Sequence, residues 1–288
     1  MPKVQPAATC SRRVASRRRN DLRPLWATHR LDLGRVMNIK SWSIVDVDKH
    51  RVAFADGECA EVVRIDRLSK IIYCLSCMAG CPIGCTFCLS GIRYGRKLTM
   101  PEMFALLKVA WRKSEKPTLL SMMGSGEPLL CAREIVALFN IVSVNKYAIS
   151  TSGVGIRHIT KFCSVPNLKL QVSVHCVDDH TRQKMIPGSP PLVEIVDAVR
   201  QHWLPRPVDW NFVFWKDTND SVDHADRIVK WAESNQIASI KINAARETPL
   251  LVRSPFEATL VQRLSERLVV EYYETDGKDI GAGCGQCS

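Results

Sequence analysis

The stretch Cys81-Pro-Ile-Gly-Cys85-Thr-Phe-Cys88 places three thiols at C-x3-C-x2-C spacing, just after a predicted buried strand at residues 70–73. Thiolates are soft ligands that suit iron–sulfur clusters, copper(I) or zinc. Three cysteines on one tight loop can bind three irons of a cubane cluster and leave the fourth iron open for a substrate. The structural alternative is a zinc site that adds Cys77, but zinc usually takes two ligand pairs from separate loops, and no second pair lies at a fitting distance. The loop therefore favours a [4Fe–4S] cluster.

Hydropathy and cysteine usage limit the class of protein. Of the 288 residues, 46% are hydrophobic, enough for a sizeable core, and the longest apolar-rich run, residues 135–144, is interrupted by Asn140. A membrane-spanning helix needs about 20 apolar residues, so we expect no membrane partner. Five of the twelve cysteines lie between Cys74 and Cys88, and residues 1–20 hold no apolar signal segment. Such clustering indicates metal or redox chemistry in a reducing compartment, and we expect a cytoplasmic monomer.

Positive charge favours a polyanionic partner. The formal net charge is +11 and the pI is about 9.2. Contact with nucleic-acid phosphates releases counterions, although charge can also serve solubility alone. No acid precedes Asp21, and the residues before it include five arginines: Arg12, Arg13, Arg17, Arg18 and Arg19. Three interpretations remain open for this segment: a mobile tail, an RNA-contacting arm, or an organelle transit peptide.

The order of predicted elements indicates an α/β fold. Apolar stretches at 51–55 and 61–65 flank Asp56-Gly57, which is a hairpin signal. After the cysteine loop, strands are predicted at 118–123, 147–151, 168–175, 211–215, 239–243 and 269–273. Helices are predicted near 103–111, 132–142, 156–162, 192–203, 222–234 and 255–268. This alternation implies a parallel sheet with its ligand site at the carboxyl ends of the strands. About six units are too few for an eight-fold barrel and fit an open, partial one.

Six motifs, in order, make the chain from Glu61 onward resemble one family of radical S-adenosylmethionine (SAM) enzymes, the RlmN/Cfr adenine methyltransferases of ribosomal and transfer RNA. The motifs are Cys74-Leu-Ser-Cys-Met-Ala-Gly-Cys81, Gly91-Ile-Arg-Tyr-Gly-Arg-Lys-Leu-Thr99, Met123-Gly-Ser-Gly-Glu-Pro-Leu-Leu130, Ser150-Thr-Ser-Gly153, Val172-Ser-Val-His175 and Ala282-Gly-Cys-Gly-Gln286. The resemblance implies a partial (β/α)6 radical SAM barrel with a small N-terminal β-containing extension. On this basis we predict a basic tail at 1–24, the extension at 25–66, and the barrel with a C-terminal cysteine segment at 67–288.

The resemblance also implies roles for single residues. The cluster ligands would be Cys81, Cys85 and Cys88. The SAM contacts would be Gly126, Glu127, Ser150, Ser173, Val174, His175 and Asn243. Cys284 corresponds to the cysteine that is methylated, Cys74 to the partner that closes a transient disulfide with it, and Glu61 to the proton acceptor. Taken singly, either cysteine would be an ordinary buried thiol and Glu61 an exposed acid on a hairpin.

The implied chemistry explains why two cysteines are needed. The adenine C2 carbon is electrophilic in character, so a direct polar methyl transfer from SAM fails there. In the family's route, the Cys284 thiolate takes a methyl group from one SAM. A second SAM is cleaved reductively to a radical that converts the S-methyl group into a methylene radical, which adds to the ring. Glu61 then removes a proton, and Cys74 attacks Cys284 to release the product. Each turnover needs an external electron donor, such as a flavodoxin-type reductant.

The chain departs from the family pattern at several points. Cys77 stands where the family usually has glutamine, Cys287 has no counterpart, and the match near Asn243, at 244–246, is poor. Only about 60 residues precede Glu61, so the accessory RNA-binding domain is expected to be missing or replaced by the tail. Two other functions therefore stay open: a methylase of a small molecule or peptide, and a non-catalytic iron–sulfur RNA-binding protein. C2 and C8 methylation are not distinguished by the sequence.

Overall fold

The computed structural model describes residues 36–244, 247, 252–274 and 280–283. The predicted tail at 1–24, the first part of the predicted extension and the predicted site residue Cys284 lie outside the described residues. Among the helices in the described ranges, none is long and apolar enough to cross a membrane.

The N-terminal strands pair with their neighbours in sequence to form an antiparallel sheet. They are β1 (Val36–Ile44), β2 (Val47–Phe54), β3 (Cys59–Arg67) and β4 (Lys70–Leu75). The hairpin predicted at Asp56-Gly57 is confirmed between β2 and β3. Gly57 has a φ of +83°, a left-handed conformation that glycine adopts without steric cost. β3 runs across the predicted boundary between residues 66 and 67, so the extension and the barrel share one sheet.

Parallel strands extend this sheet beyond β4. The later strands are β5 (Met78–Gly80), β6 (Tyr94–Lys97), β7 (Thr118–Met122), β8 (Lys146–Thr151), β9 (Leu168–Ser173), β10 (Val208–Phe212), β11 (Ser239–Asn243) and β12 (Val269–Tyr273). The order in the main sheet is β1-β2-β3-β4-β7-β8-β9-β10-β11-β12, and all pairs from β4 to β12 are parallel. β5 and β6 form a separate antiparallel pair.

Helical segments follow six of the parallel strands. They are α1 (Met100–Ala110), α2 (Ala132–Ile141), a 3-10 helix (Ile156–Phe162), α3 (Asp179–Met185), α4 (Leu192–His202), α5 (Val222–Ser234) and α6 (Glu257–Ser265). The predicted partial (β/α)6 barrel with an N-terminal β-containing extension is therefore confirmed, with β12 as a seventh parallel strand. The segment at 156–162 is a 3-10 helix, and α3 was not predicted. The strand predicted at 211–215 begins three residues earlier, at Val208.

α1 begins at a capping box. The backbone N–H of Thr99 donates to Glu102 Oε2 at 2.8 Å, and Thr99 Oγ1 donates to the same oxygen at 2.8 Å. The Glu102 carboxylate thus pairs the Thr99 N–H, which the start of a helix would otherwise leave without a partner. Glu102 is buried and also accepts two bonds from Arg96, at 3.0 and 2.9 Å. The predicted start signal at Thr99 thus has a direct structural basis.

Alternation along the strands divides the sheet into an outer and an inner face. In β9, Leu168, Leu170 and Val172 belong to the main hydrophobic core, so the residues between them face the other way. The guanidinium of Arg67, at the end of β3, lies 5.8 Å from the centroid of the Tyr273 ring in β12. The sheet therefore curves until distant strands approach, and its inner face lines a partly closed barrel.

Candidate active site

The cysteine loop is held by its backbone at two points. Cys81 follows β5, and its N–H donates to Arg93 O at 3.1 Å. In the middle of the loop, the N–H of Thr86 donates to the carbonyl of Met185 in α3 at 3.0 Å. Gly84 has a φ of +68°, so the loop turns at a residue without a side chain. These contacts bring Cys81, Cys85 and Cys88 onto one short, pinned loop.

Aromatic contacts attach the same loop to residues that follow β9 and β10. Phe87 stacks on Trp215, with ring centroids 4.4 Å apart, and meets the ring of His175 edge-on at 5.0 Å. Phe87, Cys81 and Cys85 pack against a cluster of buried side chains: Ile83, Cys176, Met185, Ile186 and Trp215. Aromatic pairs of this geometry contribute about 0.5–1.5 kcal/mol beyond their burial. Phe87 therefore anchors the loop that carries the three thiols to the barrel.

The three thiols form a donor set for a cluster. Burial, followed by the charge of Cys88, raises the pKa of Cys81 to about 11, and burial likewise raises the pKa of Cys85. Such thiols ionise when a cation binds them. In the described part of the chain, no group of three or more His, Cys, Asp or Glu side chains is arranged to hold a single metal ion. Three soft thiolates on one loop fit a [4Fe–4S] cluster, in which each cysteine binds a different iron.

Glu127 joins the ends of β7 and β8. Its Oε1 accepts from Thr151 Oγ1 at 2.6 Å and from the N–H of Leu129 at 3.1 Å. Its Oε2 accepts from the N–H and the hydroxyl of Ser152 at 2.9 and 2.6 Å. Burial raises the pKa of the Glu127 carboxyl. A carboxylate offers about four acceptor positions, so protein donors occupy the full set. An ammonium ligand would share or displace one of the hydroxyls.

Gly126 allows the turn before Glu127 to press against the cysteine region. Its φ is +115°, and a Cβ there would lie 2.7 Å from the sulfur of Cys77 and 2.8 Å from Met78 Cγ. The preceding carbonyl, of Ser125, accepts the N–H groups of Cys77 and Met78 at 2.9 and 3.1 Å. A side chain at Gly126 would therefore push β7 away from the cysteine loop.

Polar residues predicted as SAM contacts lie on the inner face at the carboxyl ends of neighbouring strands. Ser150 pairs with Gln171 across β8 and β9, and Ser173 pairs with Asn211 across β9 and β10. Asn243 is the last residue of β11, the sixth parallel strand. The structure therefore brings these predicted residues to one edge of the barrel, which is the edge that carries the cysteine loop.

Val174 and His175 line this edge mainly through their backbone. Both N–H groups donate to the carbonyl of Asn211, at 2.9 and 3.2 Å. Val174 is fully buried, and His175 has a φ of +58°. Burial lowers the pKa of His175 to about 3, so its imidazole is neutral at physiological pH.

Several buried polar atoms near this edge have no hydrogen-bond partner among the described residues. They are Ser121 Oγ, Gln171 Oε1, His175 Nδ1 and Asn211 Oδ1. The three strand residues belong to the inner face, because their sequence neighbours Leu120, Leu170 and Phe212 pack in the outer core. Buried polar groups are normally satisfied, so an unpaired set on one wall marks a place for a ligand or water.

Glu61 lies inside the barrel wall rather than exposed on a hairpin. Its side chain is 2% exposed, and its Oε2 lies 3.0 Å from Lys49 Nζ. Lys49 Nζ also donates to the carbonyl of Gly281 at 2.9 Å. Glu61 is thus a buried acid linked through one lysine to the C-terminal segment.

Cys74 and the C-terminal segment share one apolar cluster on the inner face. The cluster has buried members Val47, Val63, Ile65, Ile72 and Ala282, with Cys74 and Ile280 packed against it. Ala282 comes two residues before Cys284, which lies outside the described residues, as does Cys287. The structure therefore places the approach to Cys284 beside Cys74.

Cys77 belongs to a different environment from Cys74. It is 2% exposed and lies in the main core, where its carbonyl accepts from the Cys131 thiol at 3.5 Å. The neighbouring Cys131 thiol, together with burial, raises the pKa of Cys77. The extra thiol that the sequence placed near the reactive pair therefore packs in the main core beside Gly126, and not in the cluster that contacts Cys74.

Sequence reasoning missed two residues that organise the site, Lys49 and Arg182. Arg182 is fully buried and donates to the carbonyls of Ser152, Ser173 and Val174 at 2.6, 3.2 and 3.2 Å. Burial lowers the pKa of Arg182 to about 10. It holds the ends of β8 and β9 together. Arg182 lies in a short helix that was not predicted, and Lys49 stands in β2 between Asp48 and His50, so no local pattern in the sequence marked either residue.

Comparison with known proteins agrees with this geometry. The radical SAM superfamily model matches residues 75–228. A probable dual-specificity RNA methyltransferase RlmN from Thermus thermophilus is 31% identical over 264 residues, which cover 83% of this chain and 73% of that protein. RlmN from Halorhodospira halophila is 30% identical over 260 residues, covering 82% and 71%.

Solved structures share the fold. A radical SAM methyltransferase from Sphaerobacter thermophilus superposes with a TM-score of 0.79 at 25% identity, covering 91% of this chain and 83% of that one. SuiB from Streptococcus suis, bound to S-adenosylmethionine, has a TM-score of 0.52 at 13% identity and shows the fold alone. The chain therefore belongs to the radical SAM superfamily and, within it, to the RlmN family of RNA methyltransferases.

Proposed function

We propose that this protein methylates an adenine base of ribosomal or transfer RNA through an S-methylcysteine at Cys284. The observation that carries the proposal is the inner face of the barrel. There Glu61 and Cys74 lie around the segment 280–283 that leads to Cys284, and the cysteine loop occupies the strand-end edge of the same barrel.

The cofactors are the [4Fe–4S] cluster and SAM that the radical SAM superfamily uses. Cys81, Cys85 and Cys88 would hold three irons, because they are the thiols of the pinned loop. When bound, the reduced cluster and SAM supply a 5′-deoxyadenosyl radical. The unpaired polar atoms, together with Ser150, Ser173 and Asn243, supply acceptors and donors for SAM. Gly126 and Glu127 would face its amino group, with the Glu127 carboxylate attracting the ammonium.

Three side chains divide the work on the adenine. Cys284 carries the methyl carbon on sulfur. Glu61, which is buried beside Lys49, accepts the ring proton at its carboxylate. Cys74 attacks the Cys284 sulfur, so that a disulfide forms as the carbon leaves. Cys74 is partly buried and packs against the same apolar cluster as Ala282, which supports an exchange between Cys74 and Cys284.

RNA is proposed as the substrate on the basis of the relatives' names and the +11 net charge. A charged interface of this kind weakens as salt rises, in proportion to the phosphates contacted. A flavodoxin-type protein is proposed as the external electron donor, because each turnover needs an electron to reduce the cluster and two electrons to reopen the disulfide. The monomeric state and the cytoplasmic location stay predictions.

Mass spectrometry of nucleosides tests the function. RNA from cells with the wild-type protein should contain a methyladenosine that is absent from cells with Cys284→Ala. Cys59→Ala is a matched control, because Cys59 lies in the β2–β3 turn region away from the inner cluster. If the nucleoside profile did not differ between the wild type and Cys284→Ala, while the purified protein still cleaved SAM, the substrate would not be an RNA adenine.

A further inference from the structure

Lys49 is a buried lysine with two oxygen partners from distant parts of the chain. Its side chain is 7% exposed, and its ammonium lies 3.0 Å from Glu61 Oε2 and 2.9 Å from the carbonyl of Gly281. The third direction faces Trp42, whose ring centroid is 5.7 Å away. Gly281 is 232 positions from Lys49 in sequence. One side chain therefore ties the second strand of the sheet to the C-terminal segment.

The cost of burying an ammonium group favours one arrangement of Lys49, in which it contacts both Glu61 and Gly281. A charge removed from water is costly unless it is paired and its donors are satisfied. Glu61 neutralises the charge, and Gly281 O and the Trp42 ring complete the shell around it. Because hydrogen bonds from charged donors are shorter and stronger than neutral ones, the Gly281 carbonyl is held more tightly than by a neutral side chain.

Gly281 sets the direction of the chain at this contact. Its φ is +61°, a left-handed conformation that turns the chain at the residue whose carbonyl Lys49 contacts. The next residue, Ala282, is 8% exposed and packs in the apolar cluster that includes Cys74. Two residues separate Gly281 from Cys284, so the length of the chain limits the Cα atoms of these two residues to a separation of about 11 Å.

We propose that Lys49 is a positioning residue that fixes the Cys284-bearing segment opposite Cys74 by joining it to Glu61. This inference rests on the proposed function, since it concerns the same two cysteines. Lys49 touches neither sulfur. It acts by raising the effective concentration of Cys284 at Cys74 and by keeping the proton-accepting carboxylate at the same place.

If Lys49 and Glu61 formed an ion pair with a purely structural role, the variants would behave differently. If Lys49 served only to neutralise Glu61, then removing both charges together would leave the C-terminal segment in place. If Lys49 anchors the segment, the segment loses its attachment whether or not Glu61 is charged. The pairing of Cys74 with Cys284 distinguishes the two cases without any need for turnover.

The test is the disulfide equilibrium of the cluster-loaded, full-length protein in anaerobic glutathione buffer. Oxidised glutathione takes two electrons and two protons from the two thiols and yields two reduced glutathiones as the Cys74–Cys284 disulfide forms. The disulfide fraction is read by alkylation and mass spectrometry. The variants are Lys49→Met, Glu61→Gln and the double Lys49→Met/Glu61→Gln. The double variant buries no unpaired charge, so it avoids the likeliest cause of misfolding.

Lys49→Met and the double variant should each lower the equilibrium constant for the disulfide about tenfold or more, as expected for loss of a hydrogen bond from a charged donor. Glu61→Gln should stay within about threefold of the wild type, because Lys49 still reaches Gly281. Lys116→Met is the matched control: Lys116 also contacts one carboxylate, of Asp66 at 2.6 Å, and one carbonyl, of Arg67 at 3.1 Å.

The outcomes separate the two proposals. A wild-type protein that forms no Cys74–Cys284 disulfide would overturn the proposed function itself. A wild-type disulfide that is equally stable in the double variant would overturn the role of Lys49 and leave the function standing. A loss of equal size in Lys116→Met would show a general destabilisation, and the positioning role would again be wrong.

Discussion

Replacing Glu127 by glutamine should separate its structural role from its role toward SAM. Both carboxylate oxygens accept a backbone N–H, that of Leu129 at 3.1 Å and that of Ser152 at 2.9 Å. A glutamine has one oxygen, so its amide nitrogen must face one of these donors. The hydroxyls of Thr151 and Ser152 can rotate to accept a bond, but a backbone N–H cannot. One buried donor is left unpaired in any orientation of the amide.

The loss of stability can be calculated from that one unpaired N–H group. A buried donor without a partner costs about 1–3 kcal/mol, and a bond to a charged acceptor is worth more than a neutral one. We expect Glu127→Gln to lower the free energy of unfolding by about 2–4 kcal/mol. In a protein of this size, that corresponds to a fall in Tm of roughly 3–8 °C. SAM affinity should fall more than about tenfold, because the carboxylate that attracts the amino group is gone.

Urea unfolding and equilibrium SAM binding measure the two effects. Glu102→Gln is the matched control, since Glu102 is equally buried and hydrogen-bonded but caps α1 away from the strand-end edge. It should lose comparable stability and keep SAM affinity within about twofold. If Glu127→Gln were as stable as the wild type, the bonding scheme would be wrong. If it lost stability but bound SAM normally, Glu127 would build the turn and make no contact with SAM.

Three further predictions follow from the site. Changing any one of the three loop cysteines to alanine should abolish bound iron and SAM cleavage, and iron retained in one variant would remove that residue from the ligand set. Cys74→Ala should accumulate a covalent protein–RNA adduct that nuclease removes. Because Cys77 packs in the main core and Cys74 against a different cluster, the double variant Cys74→Ala/Cys77→Ala should show no more adduct than the single one, whereas normal turnover in it would exclude the two-cysteine route. The depressed pKa of His175, about 3, means that the unfolded chain binds a proton below pH 6.5 that the folded chain does not. Stability should therefore fall by about 2 kcal/mol between pH 6.5 and pH 5, and His175→Asn, which tolerates a positive φ, should remove most of that slope in urea titrations.

The sequence predicted those parts of the fold that depend on local pattern. Alternation and helical spacing located six parallel strands and their helices, because each element has its own apolar face. The start of α5 at Val222 was predicted to the residue, since Ser221 caps it by accepting from the N–H of His224. The segment at 156–162 has helical spacing, yet it is only seven residues long and forms a 3-10 helix. Spacing alone does not distinguish those two helix types in so short a run.

Motif spacing located the loop that carries the three thiols, whereas contacts between distant parts of the chain were not predicted. The cysteine spacing placed the three thiols on one loop, as the structure has them. Nothing local in the sequence connects Lys49 with Gly281, because that contact depends on how the C-terminal segment returns to the sheet. The separation of Cys74 from Cys77 depends on side-chain direction in and after β4, which a three-residue spacing does not fix once the strand ends at Leu75. Tertiary packing decides these positions.

The unpaired polar atoms on the inner wall link ligand binding to the stability of the fold. Ser121, Gln171, His175 and Asn211 each have one buried polar atom without a hydrogen-bond partner among the described residues. An unpaired buried polar atom lowers the stability of the folded state. A ligand that satisfies them stabilises the folded state by an amount that grows with the logarithm of its concentration. Melting temperature then becomes a reporter of occupancy. Libraries of SAM analogues can be ranked by thermal shift, without turnover, by how fully each one completes the wall.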